Sequence, residues 1–287
     1  MPKVAVLAHL GDSGAVALAA HLRRRGHAKV VYADERALAG ARLVHHPPSG
    51  APDGKITAPM SDSVLLSDGS VVDEATDLII CRLSAFPPAR QATKERQDYA
   101  DAEAYAVALS WLAGLDGRVL NRPSPMGLGG RQPDVLSLAV LAAEVGLSTP
   151  RLRLATNGVS TAPSGWGRQS WSGPTPVAVP TQTVPAVTPP LPMPVMFTEP
   201  VEFRTVAAVA GGRVVGAPPG LEERVAALVE AAELNVAEVA FGATVSGDAP
   251  LVLSVRPVPR VVDIHQLDLL TWYAEQRAFS YYTSRAV

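Results

Sequence analysis

The opening of the chain limits its fold more than any other stretch. Val4 to Leu10 is a short apolar run that ends at Gly11, Asp12, Ser13 and Gly14. Val16, Leu18, Ala19 and Leu22 then recur at helical spacing as far as Gly26, and Lys29 to Tyr32 reads as a second strand. A helix between two strands joins them in parallel, so the chain is committed to an α/β sheet of the doubly wound type. The first strand-to-helix turn of such sheets often faces a ligand. Gly11, Ser13 and Gly14 lack the G-x-G-x-x-G spacing, so the turn is expected to cap a helix rather than cradle a dinucleotide.

With 287 residues, nearly half of them apolar, the chain can bury one large core or two to three smaller ones. Its 25 basic and 27 acidic residues nearly cancel, and the one basic cluster, Arg23, Arg24 and Arg25, falls at the end of the first helix, where cations favour the helix dipole. Nucleic acid is therefore not an expected partner. Cys81 is the only cysteine, which excludes an internal disulfide and a zinc site built on paired cysteines. Nothing approaches the roughly 20 apolar residues that cross a bilayer, and the N-terminal apolar run is too short for a secretory signal. A soluble, cytoplasmic protein with no membrane partner is expected.

Further along, Val64 to Leu66 and Val71-Val72 flank Ser67-Asp68-Gly69 and read as a hairpin, and Leu78 to Cys81 reads as a buried strand. Ala92 to Leu115 is expected to be helical, followed by a short strand at Val119-Leu120. A helix from Asp134 stops at Gly146, and Leu152 to Ala155 is a strand. From Asn157 to Pro194 the density of proline, glycine, serine and threonine argues against regular structure. Strands at Val195 to Thr198, Glu202 to Val209 and Arg213 to Gly216, a helix from Leu221 to Leu234, strands at Val236 to Phe241 and Leu251 to Val255, and a helix from His265 to Tyr282 follow.

This order of elements resembles the ATP-grasp superfamily, in particular the peptide ligases of the microviridin and graspetide kind. The likeness rests on Val119-Leu120-Asn121-Arg122-Pro123 with the helix from Leu136 to Pro150 after it, on Glu202-Phe203-Arg204, and on Leu253-Ser254-Val255-Arg256-Pro257. It implies an α/β, ATP-grasp-like fold in three stretches: a Rossmann-like N-terminal lobe over 1–120, a reduced central region over 121–194, and an α+β lobe over 195–287.

In that family a lysine near the start of the helix after the Asn-Pro strand end contacts the nucleotide. Here the matching stretch reads Arg131-Gln132-Pro133-Asp134, and no lysine follows Lys94. Arginine is a planar fork rather than a compact ammonium and does not replace it among phosphates. The resemblance also implies magnesium ligands from an acidic residue on one strand and a Glu-x-Asn-Pro run on the next. Those positions fall at Ala240, Ser254 and Arg256, a degenerate metal site in which a fixed positive charge stands where a cation would sit. Glu238 restores part of a site if the alignment is two residues off.

Other constellations read as structure. His45-His46 lies in a Pro-rich loop without an acidic cluster, and Cys81 in an apolar strand is a buried small hydrophobe rather than a nucleophile. Ser13 lacks a Gly-x-Ser-x-Gly elbow. Trp166 and Trp171 are aromatic residues in the irregular segment, available to pack on the body or to anchor a partner.

The chain as a whole is similar to the truncated ATP-grasp homologues of crocagin biosynthesis that bind peptides. The resemblance implies a non-enzymatic protein with no cofactor and no catalytic residue. It would bind the leader of a precursor peptide through Glu202, Phe203 and Arg204 and work among the tailoring enzymes of a ribosomal-peptide pathway. Glu202 and Arg204 have an equally simple reading as an ion pair with each other. An active ATP-dependent peptide ligase is the alternative, and a small-molecule or regulatory module at the Gly11 to Gly14 turn is another. Trp272, Tyr273, Phe279, Tyr281 and Tyr282 offer an aromatic surface for a homodimer or for packing within one chain.

Overall fold

The computed structural model describes residues 1–44, 62–73, 75–84, 93–115, 117–155, 167–169, 195–244, 247, 249–261 and 263–285. His45-His46, Trp166 and Trp171 lie outside them. The chain begins with β1 (Lys3–Leu7), α1 (Ser13–Arg25), β2 (Lys29–Ala33), α2 (Glu35–Ala39) and β3 (Arg42–Val44). The hairpin β4 (Ser63–Leu65) and β5 (Val71–Asp73), the strand β6 (Leu78–Cys81) and the long helix α3 (Lys94–Gly114) come next. After α4 (Val135–Glu144) follow β7 (Leu152–Ala155), β8 (Gly167–Gln169), β9 (Val195–Thr198), β10 (Val201–Ala210) and β11 (Arg213–Val215). The last elements are α5 (Glu222–Ala231), β12 (Val236–Thr244), β13 (Leu251–Arg256) and α6 (Ile264–Arg285).

The three stretches expected from the sequence divide the polypeptide end to end, whereas contacts group its residues into two compact units that interleave along the chain. The first unit takes Met1–Arg131, Glu233–Val236 and Pro257–Val287, and the second takes Gln132–Ala232 and Ala237–Arg256.

In the first unit β2-β1-β6 form a parallel sheet, the β-α-β arrangement that the opening residues predict. Helix α1 starts where Asp12 accepts the Ala15 backbone N–H and stops at Gly26. Leu18, Ala19 and Leu22 line its buried face. Its basic last turn has a specific partner beyond the helix dipole: Arg25 Nε and His27 Nδ1 lie 3.1 and 3.2 Å from a buried Glu275 carboxylate oxygen on α6. The core joins Leu7, Ile79 and Cys81 of the sheet to Val64 and Val72 of the hairpin and to Trp111 and Leu112 of α3. Val119 makes a single parallel bridge to Ile79 rather than a strand, because the chain turns away at Asn121.

Asn121 makes four hydrogen bonds within this unit. It is 4% exposed. Its amide donates to Val236 O at 2.9 Å and Pro257 O at 2.6 Å, and its carbonyl accepts from Asn235 N at 2.9 Å and Val236 N at 3.0 Å. One side chain thus closes the backbone of two segments that re-enter the unit more than a hundred residues later.

The second unit holds two sheets, β7-β9-β8 and β11-β10-β12-β13. Within 157–194, a stretch expected to be mostly irregular or loosely extended, the described residues Gly167–Gln169 form β8 and pair antiparallel with Thr198, Phe197 and Met196. Three residues suffice there because β9 supplies a partner edge. Glu199 is buried and ties the start of β7 by accepting from Arg151 N and Arg151 Nε, both at 2.8 Å. Helix α5 packs on β10 and β11 through Val225, Leu228 and Val229, and α4 packs on β13.

Candidate functional site

The β12/β13 pair of the second unit carries Ala240, Ser254 and Arg256, the positions for which the sequence resemblance implies magnesium ligands. Ala240 lies directly opposite Ser254 and Glu238 opposite Arg256, before the register shifts between Ala240 and Phe241. Partners across an antiparallel pair share a face, as do residues two apart on one strand. Glu238, Ala240, Ser254 and Arg256 therefore form one patch. Ala240 is fully buried, Ser254 is 6% exposed, Glu238 is buried, and Arg256 is half-buried. The patch offers one carboxylate, one methyl, one hydroxyl and one fixed cation. Among the described residues no group of three or more His, Cys, Asp or Glu side chains is placed to hold a metal ion.

The Glu202-Phe203-Arg204 triplet occupies the start of β10, next to β12 in the same sheet. All three side chains are exposed, and Phe203 leaves 44% of its surface to solvent. Glu202 and Arg204 point to one face and pair with each other at 3.1 Å. Being exposed, that pair contributes little to stability and is easily exchanged for other partners. Strand β11 pairs only with Ala208, Val209 and Ala210, which leaves the beginning of β10 without that neighbour. On the other side, Gly242 of β12 packs against the Glu202 carbonyl so closely that any Cβ there would strike it and the Leu253 side chain. The triplet's strand position thus depends on a glycine that carries no signal of its role in the sequence.

The Gly11 to Gly14 turn of the first unit is filled by the protein itself. Asp12 takes a two-pronged contact from buried Arg82, Nε at 2.7 Å and Nη2 at 2.9 Å, and Arg82 Nη1 donates to Pro259 O at 2.7 Å. Burial pushes the Asp12 carboxyl up, but the hydrogen bonds and charge of Arg82, with the Ala15 and Gly14 N–H groups, outweigh it and hold the carboxyl below its usual value. A Cβ on Gly14 would lie 2.6 Å from Arg260 O. The helix end that would attract an anion is already answered by an internal carboxylate, which favours the capping reading of this turn.

One cluster has no signature in the sequence. His9, Glu35 and Ser84 follow the ends of β1, β2 and β6, and the sheet order β2-β1-β6 lines them up. His9 Nδ1 lies 2.6 Å from Glu35 Oε1, while Nε2 accepts from Ser84 N at 2.7 Å with Ser84 Oγ at 2.9 Å. The hydrogen bond from His9 leads the forces that lower the Glu35 carboxyl. The Ser84 backbone N–H already takes the lone pair that a catalytic base would need, so the cluster ties a loop to the sheet.

Cys81 is buried in β6, and burial raises its thiol to about 12. A thiol that stays protonated is a poor nucleophile. We expect Cys81 to resist an aromatic disulfide reagent in the native protein and to react at once in denaturant; rapid labelling under native conditions would contradict this placement.

Among the described residues no helix is long and apolar enough to cross a membrane. No family model matches the sequence, and no curated protein matches it. Solved structures do match along nearly the whole chain. The macrocyclase MdnC from Microcystis aeruginosa, bound with precursor peptide MdnA, superposes with a TM-score of 0.63 at 10% identity, covering 97% of this chain and 99% of that one. The ATP-grasp ligase PsnB, complexed with a minimal precursor, gives 0.64 at 14% identity over 96% of this chain and 99% of that one. A ribosomal-peptide-associated ATP-grasp ligase from Chryseobacterium gregarium, in complex with ADP and a leader and core peptide, gives 0.63 at 12% identity over 99% and 97%. The chain therefore has the α/β fold of the ATP-grasp ligases.

Proposed function

We propose that the chain is a non-catalytic protein that binds a precursor peptide in the biosynthesis of a ribosomally made, post-translationally modified peptide. The peptide part is supported by the company of its fold, since MdnC, PsnB and the C. gregarium ligase were all captured with precursor, leader or core peptides. The exposed triplet Glu202, Phe203 and Arg204 supplies a charged pair and an aromatic ring on a stretch of β10 that β11 does not pair, and among the described residues this is the kind of edge to which an extended segment adds by main-chain hydrogen bonds. Handing the bound peptide to tailoring enzymes is the role this binding would serve.

The observation that carries the non-catalytic part is the β12/β13 patch. PsnB has also been captured with magnesium and ADP. Magnesium needs several hard oxygen ligands in near-octahedral array. Ala240 provides no oxygen, Ser254 a neutral one, and Arg256 a cation that cannot be relieved by deprotonation. These residues do not fit the metal. Phosphoryl transfer depends on positioning and on neutralising charge through such a metal, so the patch lacks what that chemistry requires.

Calorimetric titration with the precursor peptide, and separately with magnesium ATP, tests both parts. We expect heat from the peptide alone. Phe203→Ala and Arg204→Ala should each weaken the peptide by about tenfold, the loss of ~1.4 kcal/mol, while the exposed control Arg213→Ala leaves it unchanged. Unchanged affinity in both variants would remove the triplet from the site. Clear magnesium-dependent ATP binding would restore the ligase reading.

A further inference from the structure

Two buried polar atoms on the β12/β13 patch have no hydrogen-bond partner among the described residues: Ser254 Oγ and Arg256 Nε. Leaving such groups unsatisfied is costly, and native proteins seldom do so without a ligand, water or ion to answer them. The remaining orphaned side-chain atoms, on Trp111, Thr271 and Arg277, sit singly on helices α3 and α6, whereas these two share one face two residues apart on one strand. Glu238, directly across from Arg256, is the obvious acid to satisfy it. Its carboxylate has an interaction of its own, yet the Arg256 Nε–H stays without a partner.

We infer that Ser254 and Arg256 form an oxyanion site that takes a single carboxylate, so that the strand pair aligned with a cation site holds an anion instead. Both groups are donors: Arg256 has its orphaned Nε–H, and Ser254 adds a hydroxyl. A carboxylate's two oxygens have lone pairs enough to accept from both donors at once, and the bond from the guanidinium is charge-assisted. Ala240, opposite Ser254, places only a methyl beside the hydroxyl. Charge selects the class of anion. The patch carries one fixed cation and one buried carboxylate, so a monoanion leaves one net negative charge, while a phosphate dianion would leave two in a poorly solvated place. The natural source is an acidic side chain or the C-terminus of a bound peptide. In that respect the inference rests on the peptide-binding reading, although the site itself does not.

The test uses the full chain at low ionic strength with N-acetylglutamate α-amide as the probe, its glutamine counterpart as the neutral isostere, and inorganic phosphate as the competing anion. The expected result is that the glutamate probe binds and raises the thermal midpoint, the glutamine probe does neither, and phosphate binds more weakly. Arg256→Met and Ser254→Ala should each lose at least tenfold in affinity for the glutamate probe. Ser254→Ala removes a buried orphan without creating a large cavity, so its free form should melt no lower than the parent and keeps the test valid if Arg256→Met does not fold. Equal binding by the parent and Ser254→Ala, equal binding of the glutamine probe, or tighter binding of phosphate would each overturn the carboxylate site. Probe binding that persists while the precursor peptide fails to bind would sink the peptide-binding reading and leave this site standing.

Discussion

Replacing Asn121 by alanine is expected to destabilise the protein by about 3 kcal/mol, seen as a fall of several degrees in the thermal midpoint. The side chain holds Val236 through both its N–H and its carbonyl, and holds Asn235 N and Pro257 O besides. These are backbone groups in a place where water does not readily substitute, so truncation loses the bonds and leaves the groups unsatisfied. Asn121→Asp tests the chemistry further. It keeps size and acceptors but removes the amide donor and sets a carboxylate against two carbonyl oxygens, so it should cost at least as much as alanine. A midpoint within one degree or so of that of the exposed control Arg122→Ala would show that these segments are held by something else.

Arg82→Met should be comparably severe, about 3 kcal/mol at neutral pH, because removing the buried arginine strands a partly buried carboxylate and frees Pro259 O. Arg82 is 6% exposed and grips Asp12 with Nε and Nη2 while a third nitrogen donates to Pro259 O. The pH dependence gives the test its sign. The folded Asp12 carboxyl lies below its ordinary value of 3.8, so its contribution is fully present above that pH and is lost as pH falls through the depressed folded value. The stability gap between parent and Arg82→Met, measured by urea unfolding, should be widest near neutrality and narrow below the unfolded value. A gap that stays constant as the solution is acidified would assign the loss to packing of the arginine stem instead.

Elements with repeated signal are legible in the sequence, and those held by one or two distant contacts are not. Leu78–Cys81 and Leu152–Ala155 are strands as expected, the helix around Leu18 follows its apolar spacing, and the helices over Lys94–Gly114 and Ile264–Arg285 stand where helices are expected. Helix α2 is invisible there because five residues cannot display a helical period; it exists by virtue of Asp34, which accepts from Arg36 N and Ala37 N. The three-residue β3 is hidden for the same reason and depends on β4 for its pairing. At the candidate sites, Ala240 and Ser254 prove to be cross-strand partners, a juxtaposition that their separation in sequence does not reveal. The orphaned Oγ and Nε atoms, by contrast, cannot be read from the chain, since satisfaction of a polar atom depends on every neighbour at once. Glu202 and Arg204 pair with each other, one of the two readings the sequence leaves open, and Phe203 is the triplet's least committed group. His9, Glu35 and Ser84 come together only through the sheet order.

The interleaving of the two units sets an order of events during synthesis. Strand β13, which completes the larger sheet of the second unit, ends at Arg256, while the first unit still lacks Pro257 onward and all of α6. Arg25 and His27 emerge early and then wait about 250 residues for Glu275. At roughly 5–20 residues per second that interval lasts tens of seconds at the slow end, with the unit's helical surface uncovered. A nascent chain halted shortly after Arg256 should therefore show a protease-sensitive first unit, although most of that unit's residues were made before the second began.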